Sequence, residues 1–313
     1  MDLRATILRI ERISMNDGAG LRTVVFFKGC PLRCAWCAAP ESQHPDPELY
    51  YKKEACTGCG RCTAVCPEGA LFMRNGALCR DKELCSKCFR CVLACPSRAL
   101  GVYGREMTVN QVFKEILKDE IFFFHSGGGV TLSGGDVLCY PEFAEKLLME
   151  CKDAAINTAA EMDLYGPFDR VERLLPWLDS FYADIKLMDP ERHKTWTGVT
   201  NETILKNLRD ADAQCRRNAI HARVPLIAGI NDDEENLLAT AEFCQGLHNC
   251  AELEFLPYHR LGLHGYEYLG REYPLGGLPA MPFEEAETRV RVLTKGRTWK
   301  FPVKISGREI SAG

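Results

Sequence analysis

Apolar and polar positions follow two different periods along this chain, and the period changes from one segment to the next. Short apolar runs rich in β-branched and aromatic residues predict strands at residues 23–27, 130–132, 156–160, 181–187, 222–227, 253–256 and 303–305. Helix-period patterns predict helices near residues 141–153, 167–176, 201–217, 232–246 and 283–295. One further helix start is marked by Thr108 and Gln111, which form a capping-box signature ahead of an apolar face.

Strands and helices therefore alternate from about residue 105 onward. Regular alternation of this kind predicts an α/β protein with a parallel sheet and crossover helices. If that sheet closes into a full or partial barrel, its ligand site lies at the carboxyl ends of the strands. The strand at residues 23–27 delivers the loop that follows it to the same rim.

Length and charge narrow the classes of function. The chain has 313 residues, enough for one large domain and a smaller one, with 39 Lys and Arg against 43 Asp and Glu. Basic residues do not form a stripe, so nucleic acid is not an expected partner. No apolar run reaches about 18 residues, so we expect no membrane span and a cytoplasmic protein.

Cysteine usage changes the picture most. The chain has 17 cysteines, and twelve of them lie between residues 30 and 95. Clustered thiols in a large chain without an export signal favour metal binding over disulfides.

The first cysteine group is a triplet, Cys30, Cys34 and Cys37, with no fourth cysteine nearby. A structural zinc site needs four closed ligands, whereas a [4Fe-4S] cluster held by three thiolates leaves one iron open. Such an open iron suits radical chemistry on S-adenosylmethionine (SAM), although a zinc loop is the alternative. Leu32 and Trp36 project from the same loop and can shield a cluster from water.

The second group is an internal repeat. Residues 56–67 and 85–96 both have the spacing Cys-x2-Cys-x2-Cys-x3-Cys-Pro of two-cluster ferredoxins, in which the fourth cysteine of each run binds the other cluster. A zinc ribbon is the less favoured alternative. The spacing predicts one [4Fe-4S] cluster on Cys56, Cys59, Cys62 and Cys95, and another on Cys85, Cys88, Cys91 and Cys66. Cys79 has no place in either set.

Polar residues at predicted strand ends are the candidate binding groups. Gly134, Gly135 and Asp136 follow one strand, Asp184 and Lys186 end another with both side chains on one side of the pleat, and His259 follows a third. Each motif alone is an ordinary turn, ion pair or structural histidine. Their convergence on the rim that carries the cysteine triplet favours a functional site.

Together these motifs resemble the glycyl-radical enzyme activating enzymes of the radical SAM superfamily. The resemblance covers most of the chain, including residues 17–23, the triplet, both repeats, residues 131–135, 184–186 and 257–259. It implies a partial (β/α)6 TIM-like barrel at residues 1–47 and 103–313. It further implies a ferredoxin-like insert at residues 48–102, typical of activators of lyases, dehydratases and decarboxylases.

The resemblance also implies an activity. In that family, one electron cleaves SAM at the open cluster to methionine and a 5′-deoxyadenosyl radical, which abstracts hydrogen from a backbone glycine of a partner glycyl radical enzyme. Expected cofactors are three [4Fe-4S] clusters and SAM, with an external electron donor such as flavodoxin or ferredoxin. We expect a monomer working under anaerobic conditions.

Site roles are carried over by the same resemblance. Gly134, Gly135 and Asp136 would hold the amino group of SAM, while Asp184, Lys186 and His259 would contact its carboxylate or ribose. Arg223 is a lesser candidate for the carboxylate. The chain departs from the family pattern at Asp136, usually Glu, and at Ala19, Ala39 and Met162, usually Pro, Asn and Thr.

Two other functions are weighed against this one. One is a radical SAM enzyme that modifies another peptide or a small molecule. The other is a ferredoxin-type electron carrier with a noncatalytic barrel, which would not bind SAM.

Overall fold

Strands and helices alternate along most of the chain in the computed structural model, which describes residues 2–217 and 219–310. The outer limits of the predicted barrel domain, residues 1 and 313, lie outside the described residues. The strands are β1 (Arg4–Ser14), β2 (Arg22–Phe27), β3 (Glu48–Tyr51), β4 (Leu71–Arg74), β5 (Ala77–Arg80), β6 (Leu100–Tyr103), β7 (Arg105–Thr108), β8 (Gly129–Gly134), β9 (Asn157–Met162), β10 (Ser180–Asp184), β11 (Ile220–Leu226), β12 (Cys250–Pro257), β13 (Val303–Ile305) and β14 (Arg308–Glu309).

Helices fill most of the connections. The α-helices are α1 (Arg61–Ala64), α2 (Arg90–Leu93), α3 (Val109–Ile116), α4 (Glu120–Ser126), α5 (Pro141–Asp153), α6 (Phe168–Leu174), α7 (Pro190–Thr197), α8 (Glu202–Asp212), α9 (Glu234–Gly246), α10 (Leu263–Leu269) and α11 (Phe283–Val290). Short 3₁₀ helices occur at Pro40–Ser42, Lys53–Ala55, Leu117–Asp119, Val137–Cys139, Leu175–Trp177 and Arg291–Leu293.

One large sheet organises the fold. In the described ranges it has ten strands in the order β14-β13-β12-β11-β10-β9-β8-β2-β1-β7. Pairing from β2 through β8, β9, β10, β11 and β12 to β13 is parallel throughout. The carboxyl ends of these strands therefore share one edge, and the order is consistent with the partial barrel that the resemblance implies.

The predicted parallel strands are all present, with ends that differ by a few residues. The run predicted at 181–187 is the clearest difference, because β10 ends at Asp184. The capping box is also present, since Gln111 N donates to Thr108 Oγ1 at 3.3 Å and Thr108 N donates to Gln111 Oε1 at 2.9 Å. The predicted α/β architecture with a mostly parallel sheet is thus confirmed.

The antiparallel side of the sheet was not predicted. β1 precedes the first parallel strand and pairs antiparallel with both β2 and β7. It buries Ala5 and Ile7 while most of its other side chains stay partly or fully exposed, which gives it a weak apolar signature. The strand that leads to the cysteine triplet is therefore the second strand of the chain.

Residues 48–102, here called the cysteine-rich segment, have their own small core. Buried Leu49, Leu71, Leu78 and Leu100 pack with the repeat cysteines, separately from the core around the ten-stranded sheet. β3 and β6 pair antiparallel at the two ends of the segment, and β4 and β5 form a hairpin within it. Asn75 and Gly76 connect β4 to β5, both with positive φ, as a type I′ turn requires.

In the portion that the structure describes, no helix combines the length and the apolar character needed to cross a bilayer.

Candidate active site

The Cys30–Cys37 loop leaves the carboxyl end of β2 and is fixed on both sides by backbone hydrogen bonds. On one side, Arg33 N donates to Thr197 O at 2.7 Å and Ala35 N donates to Trp196 O at 2.9 Å, so the end of α7 supports the loop. On the other side, Gly29 N donates to Ser42 O at 2.6 Å. The triplet therefore has a defined backbone conformation built from neighbouring elements.

All three triplet cysteines line one cavity of about 250 Å³ at this edge of the sheet. Burial raises the pKa of each of the three thiols above its ordinary value. A bound metal ion reverses this effect because a coordinating thiol is deprotonated outright. Leu32 and Trp36 line the same cavity and are almost fully buried, as their predicted shielding role requires.

Most of the predicted strand-end residues line the same cavity. Gly134, Gly135, Asp184, Lys186 and His259 all line the cavity. Burial lowers the pKa of His259, which favours its neutral form. The structure thus brings together the ends of β2, β8, β10 and β12, as the parallel-sheet argument predicts.

Gly134 and Gly135 are required by packing. A Cβ atom on Gly134 would lie 2.3 Å from Phe27 N, and a Cβ on Gly135 would lie 2.1 Å from Gly29 O. Backbone of β8 therefore approaches the end of β2 and the start of the cysteine loop more closely than any side chain allows. Gly135 N donates to Phe27 O at 2.9 Å and closes this contact.

Lys186 is the central cation of the site. Its Nζ donates to Asp163 Oδ1 and to Asp184 Oδ2, both at 2.7 Å, and the side chain is 5% exposed. Burial alone lowers the pKa of Lys186, but the Asp163 and Asp184 carboxylates outweigh it and hold that pKa well above its ordinary value. The lysine is therefore charged.

Asp163 is a site residue that sequence reasoning missed. It lines the cavity, and the Cys30 thiol donates to its Oδ2 at 3.2 Å. The available signal was its place directly after β9, which is the strand-end position that singled out Asp184. The cavity lining therefore includes the carboxylates of Asp163 and Asp184 and the single ammonium of Lys186. Together these three groups carry a net negative charge.

Asp136 lies behind the cavity wall rather than on it. Its Oδ1 accepts from Leu138 N at 3.0 Å, which caps the following 3₁₀ helix. Its Oδ2 is buried without a hydrogen-bond partner in residues 2–217 and 219–310. Burial, followed by the nearby Asp163 charge, raises the pKa of Asp136 well above its ordinary value. An unpartnered buried acceptor beside the cavity suits a cationic ligand group.

Arg223 is not placed where the sequence analysis expected. It lies within β11 rather than at its end, and it lines a second cavity toward the amino ends of the strands. Its guanidinium donates to Glu161 at 2.7 Å and Glu254 at 3.0 Å, and it stacks on the Tyr182 ring. Two ion pairs and an aromatic face account for its position, while Pro225 and Ile227 reach the active-site cavity.

The eight repeat cysteines line two further cavities. One is lined by Cys56, Cys59, Cys62 and Cys95, and the other by Cys66, Cys85, Cys88 and Cys91. In each cavity the fourth cysteine of one run joins three from the other run. Across the described ranges, no three His, Cys, Asp or Glu side chains are arranged to hold a single metal ion. A cubane differs from a single ion because each thiolate binds its own iron atom.

Comparison with known proteins identifies the family. Residues 24–241 match the Radical SAM superfamily. This chain belongs to the radical SAM superfamily. The superfamily implies SAM and a [4Fe-4S] cluster, and the matched region contains the triplet and most of the cavity wall.

Named radical SAM relatives resemble the chain over most of its length. It is 43% identical to the indoleacetate decarboxylase activating enzyme of Tractidigestivibacter scatoligenes, over 87% of this chain and 89% of that protein. It is 41% identical to the choline trimethylamine-lyase activating enzyme of Oleidesulfovibrio alaskensis, over 97% and 99%. It is 40% identical to the trans-4-hydroxy-L-proline dehydratase activating enzyme of Clostridioides difficile, over 96% and 99%.

These relatives place the chain among the glycyl-radical enzyme activating enzymes, and the predicted family is confirmed. A structural relative supports the fold alone. The Streptococcus suis protein SuiB bound to its precursor peptide SuiA aligns with a TM-score of 0.53 at 12% identity, over 89% of this chain and 46% of that chain.

Proposed function

We propose that this protein activates a glycyl radical enzyme. With SAM and an open [4Fe-4S] cluster bound, it would cleave SAM reductively and use the 5′-deoxyadenosyl radical to take hydrogen from a backbone glycine of the partner. The observation that carries this proposal is the arrangement of the active-site cavity. Cys30, Cys34 and Cys37 line one cavity of about 250 Å³ together with the Gly134–Gly135 turn and the Asp184–Lys186 pair.

Charge and shape at the cavity suit SAM. SAM carries a sulfonium and an ammonium, both cationic, and the wall formed by Asp163, Asp184 and Lys186 is net negative. Asp136 Oδ2 is buried without a hydrogen-bond partner in the described residues, and a bound ammonium would favour the ionised carboxylate that burial disfavours, which fits the amino group beside Gly134 and Gly135. Lys186, Asp184 and His259 would contact the carboxylate or ribose. Arg223 is left out of these contacts because it lines the second cavity.

The chain's own groups position and shield these reactants. Leu32 and Trp36 would limit water at the cluster, and the backbone hydrogen bonds that the loop donates to carbonyl groups of α7 would hold the three thiols in place. A [4Fe-4S] cluster held by Cys30, Cys34 and Cys37 would supply the electron for breaking the carbon–sulfur bond of SAM.

For the cysteine-rich segment we propose two further [4Fe-4S] clusters, three in all, in a ferredoxin-like insert. Support comes from the two cavities that each collect four repeat cysteines in the crossed pattern of two-cluster ferredoxins. Metal binding would add folding free energy to a segment whose apolar core is small.

The proposal extends to the partner enzyme, the electron donor and the cellular conditions. The relatives named above activate a decarboxylase, a lyase and a dehydratase, so the partner would be a glycyl radical enzyme of one of these types. An external donor such as flavodoxin or ferredoxin would supply the electron. We propose an anaerobic, cytoplasmic monomer, because seventeen thiols need reducing conditions.

The direct test is anaerobic reconstitution with iron and sulfide, followed by dithionite reduction and measurement of 5′-deoxyadenosine formed from SAM. We expect product from the wild type, none from Cys34→Ala, and wild-type amounts from the control Cys215→Ala. Absence of product from fully reconstituted wild type, with and without candidate partners, would overturn the proposal. An EPR signal of a glycine radical on an added partner separates this function from modification of another peptide or small molecule.

A further inference from the structure

The cysteine-rich segment carries a charge opposite to that of the remaining chain. Residues 48–102 contain nine Lys and Arg against five Asp and Glu, a net charge of +4. The other residues contain 30 basic against 38 acidic side chains, a net charge of −8. Residues 84–105 contain no acid at all, but include Lys87, Arg90, Arg98 and Arg105. The molecule therefore has a positive region around its second cysteine run.

An exposed apolar side chain lies among these charges. Leu93, at the end of α2, is 92% exposed. Arg90 precedes it by three residues on the same helix, so the two side chains lie on neighbouring turns of one side. Cys88 is exposed and lines the cavity with Cys85, Cys91 and Cys66. We call Lys87, Cys88, Arg90 and Leu93 the second-motif face.

This face is joined to the active-site loop by a short series of contacts. Lys87 Nζ donates to Asp46 Oδ2 at 2.9 Å. Asp46 follows Pro45, and a Cβ atom added to Gly29 would lie 3.4 Å from the Cβ of Pro45. Gly29 directly precedes Cys30. Lys87 of the second-motif face is thus connected, through Asp46 and Pro45, to the residue that directly precedes the triplet.

We infer that the second-motif face is the docking surface for an acidic one-electron carrier protein. The inference rests on the proposed function, because it assigns a role to the proposed clusters. One electron would leave the reduced carrier, which is oxidised by one, and would reduce the cluster held by Cys66, Cys85, Cys88 and Cys91 by one. The electron would then pass on to the open cluster, and no proton or group is transferred at the face.

Charge complementarity selects this occupant. An acidic carrier is repelled by the net charge of −8 on the barrel residues and attracted by the +4 segment, so its encounters are steered to one region. Exposed Leu93 then offers an apolar contact surrounded by basic side chains. Protein interfaces usually have such an arrangement, with an apolar core and a polar rim. Cys88 at the surface keeps the path from carrier to cluster short.

The test is stopped-flow reduction of the reconstituted protein by a fully reduced acidic flavodoxin, followed by the loss of cluster absorbance. At low salt, Lys87→Glu combined with Arg90→Glu should slow reduction about tenfold, and the wild-type rate should fall with added salt more steeply than the variant rate. The matched control is Lys114→Glu combined with Lys194→Glu, which makes the same charge change on exposed barrel residues and should stay within about twofold of wild type. Leu93→Ser is a third variant that tests the apolar contact without a change of charge.

Iron and sulfide content and dithionite-driven cleavage of SAM establish that each variant is folded and loaded. Equal slowing in the double variant and the control, or wild-type rates in both Lys87→Glu/Arg90→Glu and Leu93→Ser, would overturn the docking surface. Failure of wild type to cleave SAM with dithionite would instead overturn the proposed function, while the reduction rates would still report on docking.

Discussion

Lys186 is the residue whose loss should affect SAM binding most directly. It is buried between two carboxylates, so replacing it with Met leaves Asp163 and Asp184 facing each other without a cation. We expect Lys186→Met to weaken SAM binding about ten- to a hundredfold while cluster content is retained. Anaerobic equilibrium binding of SAM measures this, with Lys194→Met on exposed α7 as the control. Wild-type affinity in Lys186→Met would remove Lys186 from the proposed contacts.

Asp136 should show opposite effects on stability and binding. Its folded-state pKa is raised above the unfolded value, so the carboxyl reduces stability as pH rises from about 3.9 through the folded pKa. Asp136→Asn keeps an acceptor for Leu138 N and removes that penalty. We expect it to raise the free energy of unfolding at pH 7 by about 1–3 kcal/mol and to weaken SAM binding.

Urea unfolding of the reconstituted protein between about pH 6 and 8 measures the effect of Asp136→Asn, whose gain should not shrink as pH rises. Asp232→Asn is the contrasting variant. That carboxylate is also buried but forms an ion pair with Arg289, so its neutralisation should destabilise the protein. A destabilised Asp136→Asn would show that Asp136 is charged and paired in the free protein.

Some residues of the site could be predicted from the sequence and others could not. Strand-end logic identified Asp184, Lys186 and His259, and the cavity contains all three. The same logic could have found Asp163, but its role depends on the neighbours of β9, which only the sheet order gives. The position of Arg223 was predicted wrongly because alternation shows which face of a strand a side chain lies on, but not whether it lies near the amino or the carboxyl end of the sheet. Its ion-pair partners, Glu161 and Glu254, are also far from it in sequence.

At the scale of elements, the two cysteine runs have the same backbone conformation at equivalent positions, but only the first run has glycine at these positions. Gly58, Gly60 and Gly69 have positive φ, and Lys87, Phe89 and Arg98, each 29 positions later, have positive φ as well. Side chains other than glycine are strained in this region. The second run therefore carries local strain that the first run avoids.

Exchanging these residues tests that strain. Arg98→Gly should raise the free energy of unfolding by up to about 1 kcal/mol, whereas Gly69→Ala should lower it by about 1 kcal/mol. Anaerobic urea unfolding of the reconstituted protein, followed by cluster absorbance, measures both. Arg98 is exposed, so lost packing does not confound the result. Changes of the same sign in the two variants would contradict the shared-backbone interpretation.

Elements with a strong period were predicted and those with a weak one were missed. The helices α5 and α8 and the parallel strands from β8 to β13 follow clear patterns in the sequence. The helix α7 has the sequence PERHKTWT with few apolar residues, and α10 contains Gly265, so neither gives a clear helical stripe. Both nevertheless position the active site, because α7 hydrogen-bonds to the cysteine loop and Gly265 packs against Pro40.

At the scale of the whole molecule, α10 and the residues beside it connect the cysteine-rich segment to the part of the chain that forms the ten-stranded sheet. Tyr268 donates to Glu54 at 2.7 Å and Lys82 donates to Gly270 O at 2.8 Å, both across the two parts. On its other side, α10 approaches the loop after the triplet so closely that a Cβ on Gly262 would lie 2.7 Å from Ala38 O. The sequence pattern could not predict these contacts, because the residues that form them lie far apart in the chain.

Separate roles for the two parts predict separable losses. Cys34→Ala removes a proposed ligand of the open cluster, so we expect no cleavage of SAM, together with about one third of the iron lost if three clusters are present. Cys59→Ala removes a ligand from the segment, so it should lose a similar share of iron but keep SAM binding, because the active-site cavity does not include that residue. Iron and sulfide analysis, EPR of the reduced protein and SAM binding distinguish the two variants. Complete loss of SAM affinity in a folded Cys59→Ala protein would show that α10 couples the two parts into one unit. Cleavage of SAM by Cys34→Ala would place the open cluster elsewhere.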